Sequence, residues 1–210
     1  MTISRQKKGA AAISRHQEKT DITRSRFLQA AEKIFARDGF DSAKLEEIAA
    51  QAGYTRGAFY ANFDSKEGLF FALLEEEIKA RIENVRARVA KAQKPSEKLL
   101  ALRDFWLDTS LDRRWSVLAL EFKLFAIRHP EVKSRLAAMH RKLVSSAVDI
   151  LQHVMREVGR ELPVSAYAAG KALFALSSGL TLEHMLDRTV MPEETVRQIL
   201  LAFFDAMMMG

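Results

Sequence analysis

One run near the N-terminus, Ala52 to Glu76 (AGYTRGAFYANFDSKEGLFFALLEE), constrains the fold of this chain more than any other segment. It reads as a short helix closed by Gly53, a tight turn, and a second short helix, after which Asp64-Ser65 opens a longer one. Two short helices meeting at a glycine form a helix-turn-helix, and that unit lays its second helix in the major groove of DNA. Arg56, Tyr60 and Asn62 on the second helix carry donors suited to phosphate oxygens and base edges. The first expectation is therefore a protein that binds double-stranded DNA by sequence.

The remaining pattern is helical throughout. Phe27, Ala30, Ala31, Ile34 and Phe35 recur at i, i+3, i+4 spacing from Thr20 onward, and Asp38-Gly39 stops them. Leu45, Ile48, Ala49 and Ala52 mark the next helix, with Ser42 in reach to cap it. Thr55 caps the following one, whose inward residues are Ala58, Phe59 and Phe63. Asp64 with Glu67 makes a capping box for a fourth helix running to about Ala92, with Glu75–Lys79 and Glu77–Arg81 paired on its solvent side. Pro95, Pro130, Pro163 and Pro192 each fall where a helix begins. They divide the rest into helices of about 96–110, 114–128, 130–159, 165–187 and 192–208. No strand signal appears, so the expectation is an all-α fold of about nine helices: a flexible basic arm at 1–19, a DNA-binding domain at 20–66 and a larger helical body at 67–210.

Charge agrees with a polyanionic partner. Residues 1–26 hold seven Lys and Arg against Glu18 and Asp21, a local net of +5 within a chain of net +6. Arg5, Lys7, Lys8 and Arg15 of the arm suit phosphates or the minor groove. The chain has no cysteine, which excludes disulfides and thiolate chemistry and fits a reducing cytoplasm. No apolar run approaches the roughly 18 residues of a membrane span, and no signal-peptide core follows the first basic residues. Of His16, His129, His140, His153 and His184, none belongs to a helical zinc motif; there is no nucleophile elbow, P-loop or dinucleotide fingerprint. No enzyme, metal or cofactor is expected, and the chain reads as a soluble cytoplasmic protein.

From about Arg26 to Leu74 the residues resemble the TetR/AcrR family of one-component transcriptional repressors. The resemblance rests on Ala30-Ala31 with Phe35 and Gly39, Ile48-Ala49, the run Ala52 to Gly57, Phe59-Tyr60 with Phe63, and Ser65-Lys66-Glu67 with Leu69. It implies a homodimer of subunits that each join a DNA-binding domain to a helical domain for a small-molecule effector and for dimerisation. It also implies that effector binding re-spaces the two recognition helices and releases DNA. Three departures stand out. Lys44 occupies a position where the family often has a capping Thr or Ser, Glu46 one where Arg is common, and Ala61-Asn62 replace a frequent aromatic and His pair.

Thr55, Arg56 and Tyr60 are expected to carry most DNA contacts, Arg56 by bidentate hydrogen bonding to guanine. Gly57 lets the backbone come close, Ala58 and Asn62 lie on the same short helix, Lys44 and Lys66 meet phosphates, and Tyr54 is divided between turn packing and a thymine methyl. In the helical body, Leu102, Phe105, Trp106, Trp115, Phe122, Phe125, Met139, Leu143 and Phe174, with Ser177 and Ser178 as a polar edge, are the candidates for an apolar effector pocket. Leu173, Leu176, Gly179, Leu180, Leu200, Phe203, Phe204 and Met207 are the candidates for a dimer seam in a four-helix bundle. The competing reading is a ligand-independent structural DNA-binding protein of weak specificity.

Overall fold

A computed structural model describes the backbone of residues 3–209 and the side chains of residues 18–209. Among the described residues there are nine helices and no strand: α1 (Ile3–Ser42), α2 (Leu45–Ala52), α3 (Arg56–Tyr60), α4 (Lys66–Lys91), α5 (Pro95–Leu111), α6 (Arg113–Arg128), α7 (Pro130–Val158), α8 (Ala166–Leu186) and α9 (Glu193–Met208). The fold class expected from the sequence is the one found. The chain forms two compact units, Met1–Glu75 and Glu76–Gly210. Their boundary lies inside α4 rather than at its start, because Phe70 packs edge-on against Phe35 at 4.9 Å and tilted on Phe40 at 4.6 Å.

α1 reaches back through the segment read as an arm. Ala10 to Ala12 and the absence of proline favour helix there even without an apolar stripe. The side chains of Arg5, Lys7, Lys8 and Arg15 lie outside the described residues, and so do their expected DNA contacts. Gly39 breaks α1 where expected, at φ 76° and ψ 166°, a conformation that only glycine adopts cheaply.

The first unit is built around Phe27, which has no exposed surface. It stacks on Tyr54 at 5.4 Å and meets Phe59 and Phe63 edge-on at 5.6 and 6.1 Å. Fully burying such a ring contributes about 1.5–3 kcal/mol, so this four-ring cluster fixes the helix-turn-helix against α1. Phe59 and Phe63 are core, as read from the sequence. Gly53 ends α2 in the left-handed region at φ 80°. Its N–H donates to the Ala50 carbonyl and that of Tyr54 to the Ala49 carbonyl, which satisfies the helix end.

Two local expectations change. The N-cap of α4 is Ser65, whose Oγ accepts from the Gly68 N–H at 3.0 Å; Asp64 lies one residue too early to reach it. Ser42 closes α1 and does not cap α2, whose N-cap residue Lys44 makes no side-chain capping bond. Glu46 and Glu47 in the first turn of α2 supply the negative charge that its N-terminus favours.

In the second unit α5 packs against α6, α7, α8 and α9, α7 against α6 and α8, and α8 against α9. Val85 and Val89 of α4 join Leu99, Leu102, Ile150, Leu151, Val154, Phe204 and Met208 in one core. Leu107, Val196 and Leu200 form a second, and Val144, Val148 and Ala166 a third. Pro95 and Pro130 begin α5 and α7, where the missing N–H costs nothing. Arg81 bonds Glu77 at 3.4 Å and Asp112 at 2.8 Å and lies 4.2 Å over the Trp115 ring. The Glu77–Arg81 pair therefore lies against α6 and its N-cap, not on the solvent side of α4. Burial alone would raise the Asp112 pKa, but the Arg81 hydrogen bond, the Trp115 N–H and the charges of Arg81 and Arg114 outweigh it and hold it below the usual carboxylate range.

Candidate functional site

The turn between α2 and α3 presents the groups the sequence singled out. Thr55 is the N-cap of α3, and its Oγ accepts from the Ala58 N–H at 3.2 Å. That bond uses the oxygen and leaves the hydroxyl proton to donate. Arg56 follows, well exposed, and Tyr60 sits one turn on with half its surface in solvent. The Arg56 guanidinium donates to the Tyr60 hydroxyl at 3.3 Å and to Glu46 Oε1 at 2.6 Å. The hydrogen bond to Tyr60, then the charges of Tyr60 and Glu46, raise the Arg56 pKa. Glu46 stands on α2, so the two helices of the motif are tied through their surface charges. The Arg56 side chain is thus extended across α3 and already engaged by an acid.

Gly57 has no internal reason to be glycine. A Cβ built there would meet only Thr55 Oγ1, at an ordinary 3.7 Å. The space it leaves is at the exposed surface of α3, between Arg56 and Ala58. Lys44 is exposed at the start of α2, where a cation sits naturally against a phosphate. Lys44, Thr55, Arg56, Gly57 and Tyr60 are therefore all accessible on the motif, with Ala58 half-buried.

Three of the expected DNA residues are engaged elsewhere. Lys66 Nζ donates to the carbonyls of Phe40 at 2.8 Å, Asp41 at 3.2 Å and Ala43 at 3.1 Å, and lies 4.5 Å from the Phe40 ring centroid. An ammonium has three protons, so all of them bind the C-terminal end of α1 and the link that follows it. Asn62 Nδ2 donates to the Ala58 carbonyl at 2.8 Å and closes α3, while its own carbonyl accepts from Arg24 at 3.1 Å. Tyr54 is half-buried, stacked on Phe27 with its hydroxyl 3.2 Å from Thr23 Oγ1, which favours turn packing over a base contact.

In the second unit the expected pocket residues part company. Leu102 belongs to the largest of its cores, with Phe105 and Trp106 packed on it, and Trp106 lies 5.8 Å from Phe204. Trp115 is pinned under Arg81, and Phe122, Phe125 and Leu143 are buried, with Met139 half-buried. Phe174 packs on the separate Val144–Val148–Ala166 core. Ser177 Oγ bonds Ser110 Oγ at 2.8 Å and the Leu173 carbonyl, so it joins α8 to α5. Ser178 Oγ donates to the Phe174 carbonyl and accepts from Lys123 Nζ at 2.8 Å. A cleft of about 340 Å³ opens at a different place, between Leu111, Arg113, Thr181, His184, Arg188 and Glu193. Helical periodicity marked which positions are apolar but not which helix each one faces.

Of the expected dimer residues, two belong to the subunit's own core and four more pack partly buried against it. Leu200 and Phe204 have essentially no exposed surface, Leu173 and Met207 pack on one core, and Leu176 and Leu180 on another. Phe203 is half-buried and Gly179 exposed. A neighbouring stripe looks outward: Ala175, Gly179, Leu182 and Leu186 on α8, with Ile199, Ala202 and Ala206 on α9. Leu182 is 43% and Leu186 81% exposed. A Cβ on Gly179 would meet nothing within 4 Å. No helix among the described residues is long and apolar enough to cross a membrane.

A cluster that the sequence did not signal joins α6, α7 and α8. Lys171 Nζ lies 3.2 Å from His140 Nε2, and Lys123 Nζ is held by Ser178. Burial, then Lys171, then Lys123 lower the His140 pKa; burial, then Lys171, lower that of Lys123.

Residues 27–73 match the family described as bacterial regulatory proteins, tetR family, and residues 95–208 match the BetI-type transcriptional repressor C-terminal family. NicS, an HTH-type transcriptional repressor of Pseudomonas putida, is 29% identical over 161 residues, 75% of this chain and 68% of that protein. The regulator SrpR of Pseudomonas putida is 27% identical over 143 residues; the match covers 63% of this chain and spans little more than half of SrpR, 57%. Among solved structures, a TetR-family regulator from Rhodococcus sp. superposes with a TM-score of 0.75 at 22% identity, over 90% of this chain and 99% of that one. A regulator from Saccharomonospora viridis solved with choline gives 0.71 at 20% identity, covering 87% and 95%. The regulator FadR of Bacillus subtilis solved with stearoyl-CoA gives 0.65 at 18%, covering 84% and 96%.

Proposed function

Because the chain belongs to the TetR family of bacterial transcriptional regulators, we propose that it is a repressor. It binds a palindromic operator as a homodimer and leaves it when a small hydrophobic or amphipathic molecule occupies the second unit. Membership makes it a DNA-binding regulator and not an enzyme. The observation that carries the operator reading is the exposed set of Lys44, Thr55, Arg56, Gly57 and Tyr60 around a helix-turn-helix whose core is fully packed. Arg56 reads a guanine edge, Thr55 and Tyr60 donate to phosphates, and Lys44 adds a point charge at the start of α2.

Dimerisation is assigned to the outward stripe of α8 and α9, which is apolar and exposed, at i, i+4, i+7, i+11 spacing on α8 and i, i+3, i+7 on α9. Two copies related by a two-fold axis bury it as a four-helix bundle, with Gly179 at the closest approach. The solved relatives with choline and stearoyl-CoA support a small-molecule effector, which the helical second unit would hold.

Selection of bound duplexes from a random pool at about 150 mM salt tests the operator reading. An enriched palindrome that Arg56→Ala abolishes supports it. Binding without enrichment, fading simply as salt rises, returns the structural DNA-binding reading. Leu182→Glu with Leu186→Glu should yield a folded monomer by analytical ultracentrifugation, and a persisting dimer would refute the assigned face.

A further inference from the structure

The fold does not decide the charge of the effector, since relatives of this fold are solved with a quaternary ammonium and with an acyl coenzyme A. The chain's own residues do. Elsewhere its cations are commonly matched by acids: Arg37 with Asp38 and Glu47, Arg81 with Glu77 and Asp112, Arg88 with Asp108, Lys98 with Glu157. Around His140 the pattern reverses. Lys123 comes from α6, His140 from α7 and Lys171 from α8, and no carboxylate among the described residues pairs with any of them. The partners present are a hydroxyl, Ser178, and an imidazole ring that has to stay neutral to accept from Lys171 Nζ. Three helices thus bring two ammonium groups and a half-buried imidazole together at the surface, where each cation raises the cost of the next. An apolar surface adjoins them: the Phe174 ring centroid lies 6.2 Å from that of His140, edge to face, and Phe174 packs on Val144, Val148 and Ala166.

We propose that Lys123, His140 and Lys171 seat the anionic head group of the effector, a carboxylate or a phosphate, and that Phe174 walls its apolar part. An anion relieves the repulsion between the two ammonium groups and accepts charge-assisted hydrogen bonds from both. A quaternary ammonium can do neither, and its charge adds to theirs. The inference rests on the effector reading above and narrows it to anionic amphipaths.

The test uses the full chain and four probes of one chain length: decanoate, decyl phosphate, 1-decanol and decyltrimethylammonium. Affinities are read by calorimetry and DNA release by anisotropy on the selected operator. Decanoate or decyl phosphate should bind at least tenfold tighter than 1-decanol, with the ammonium weakest, and the better of the two anions identifies the head group. Lys123→Gln with Lys171→Gln should reduce the difference to within twofold. The same variant without ligand should melt no lower than the parent, because repulsion is removed. Equal or tighter binding of 1-decanol or the ammonium overturns the head-group assignment; if that probe also releases DNA, the effector reading stands without it. An anion preference untouched by the double variant places the head group elsewhere and overturns the assignment too. A protein that binds none of the four, and whose DNA complex none of them disturbs, overturns both readings.

Discussion

Lys66 separates two explanations of a positive charge beside a helix-turn-helix. Its ammonium gives all three protons to the carbonyls of Phe40, Asp41 and Ala43, at 2.8, 3.2 and 3.1 Å, and covers the Phe40 ring. Lys66→Met keeps the length of the side chain and its contact with that ring but removes every donor. Hydrogen bonds to a charged group are worth about 1.5–3 kcal/mol, and orphaned carbonyls add a desolvation cost. The three bonds share one ammonium and part of the link is wetted, so they do not add; the expected loss is about 2–3 kcal/mol. For a unit of this size that lowers the melting temperature by roughly 10–20 °C. The competing explanation, a phosphate contact, predicts something else. Each lost phosphate contact reduces the slope of log affinity against log salt by about 0.9, so a dimer would lose about 1.8. Thermal melting and operator titrations at several salt concentrations, run well below both midpoints, tell the two apart. A flattened salt slope with an unchanged melting temperature would refute the structural role of Lys66.

Other substitutions probe the same logic. Gly57→Ala should leave melting unchanged or raise it slightly, since a Cβ there meets only Thr55 Oγ1 at 3.7 Å and alanine favours helix by up to about 1 kcal/mol. It should nevertheless weaken operator binding at least tenfold in a gel-shift titration; undiminished binding would show that α3 stands further from the DNA backbone. Glu46→Gln frees Arg56 from its 2.6 Å ion pair and removes a negative charge from the DNA-facing side. Operator affinity should rise several-fold by anisotropy, whereas a fall would mean that Glu46 itself reads a base or aims Arg56. Gly170→Ala places a methyl 2.9 Å from Val148 Cγ2, and valine cannot swing aside. Overpacking of about 1–3 kcal/mol then outweighs the gain in helix propensity, so urea unfolding should show a net loss of about 1 kcal/mol.

Much of the first unit was legible because its signals are local. Gly39 and Gly53 stop helices through a backbone conformation written in one residue, and Thr55 caps α3 through a bond spanning three positions. Phe59 and Phe63 read as core from spacing alone. The errors there concern which of two adjacent polar residues acts: Ser65 caps α4 and Asp64 does not, and Ser42 finishes α1 and does not begin α2. The carbonyl partners of Lys66 went unread for a different reason. They lie more than twenty residues away in sequence, and carbonyls carry no residue-type signal. The second unit was legible as helices but not as surfaces. Leu200 and Phe204 stand only one and two positions from Ile199 and Ala202, and only the packing of α8 and α5 on α9 shows which set looks inward. Lys123, His140 and Lys171 lie on three helices, and nothing in their separate sequence contexts foretells that they meet.

The two charged clusters answer different physical demands. On the proposed operator reading, a bare arginine would attract any polyanion, whereas Arg56, held by Glu46 and Tyr60, must exchange those partners for a guanine edge. The exchange penalises phosphate alone, which offers charge without a matched base, and so favours specificity over affinity. The cluster around His140 has the opposite character, because no acid among the described residues pairs with it and an external anion can. A ligand shifts a conformational equilibrium only by its difference in affinity between the two states. Repulsion between Lys123 and Lys171 supplies such a difference directly, since any arrangement that separates α6 from α8 weakens it and also dismantles the anion's seat. An anion bound there would hold those helices at the spacing seen, and a neutral analogue of equal length, filling the same apolar volume, would not.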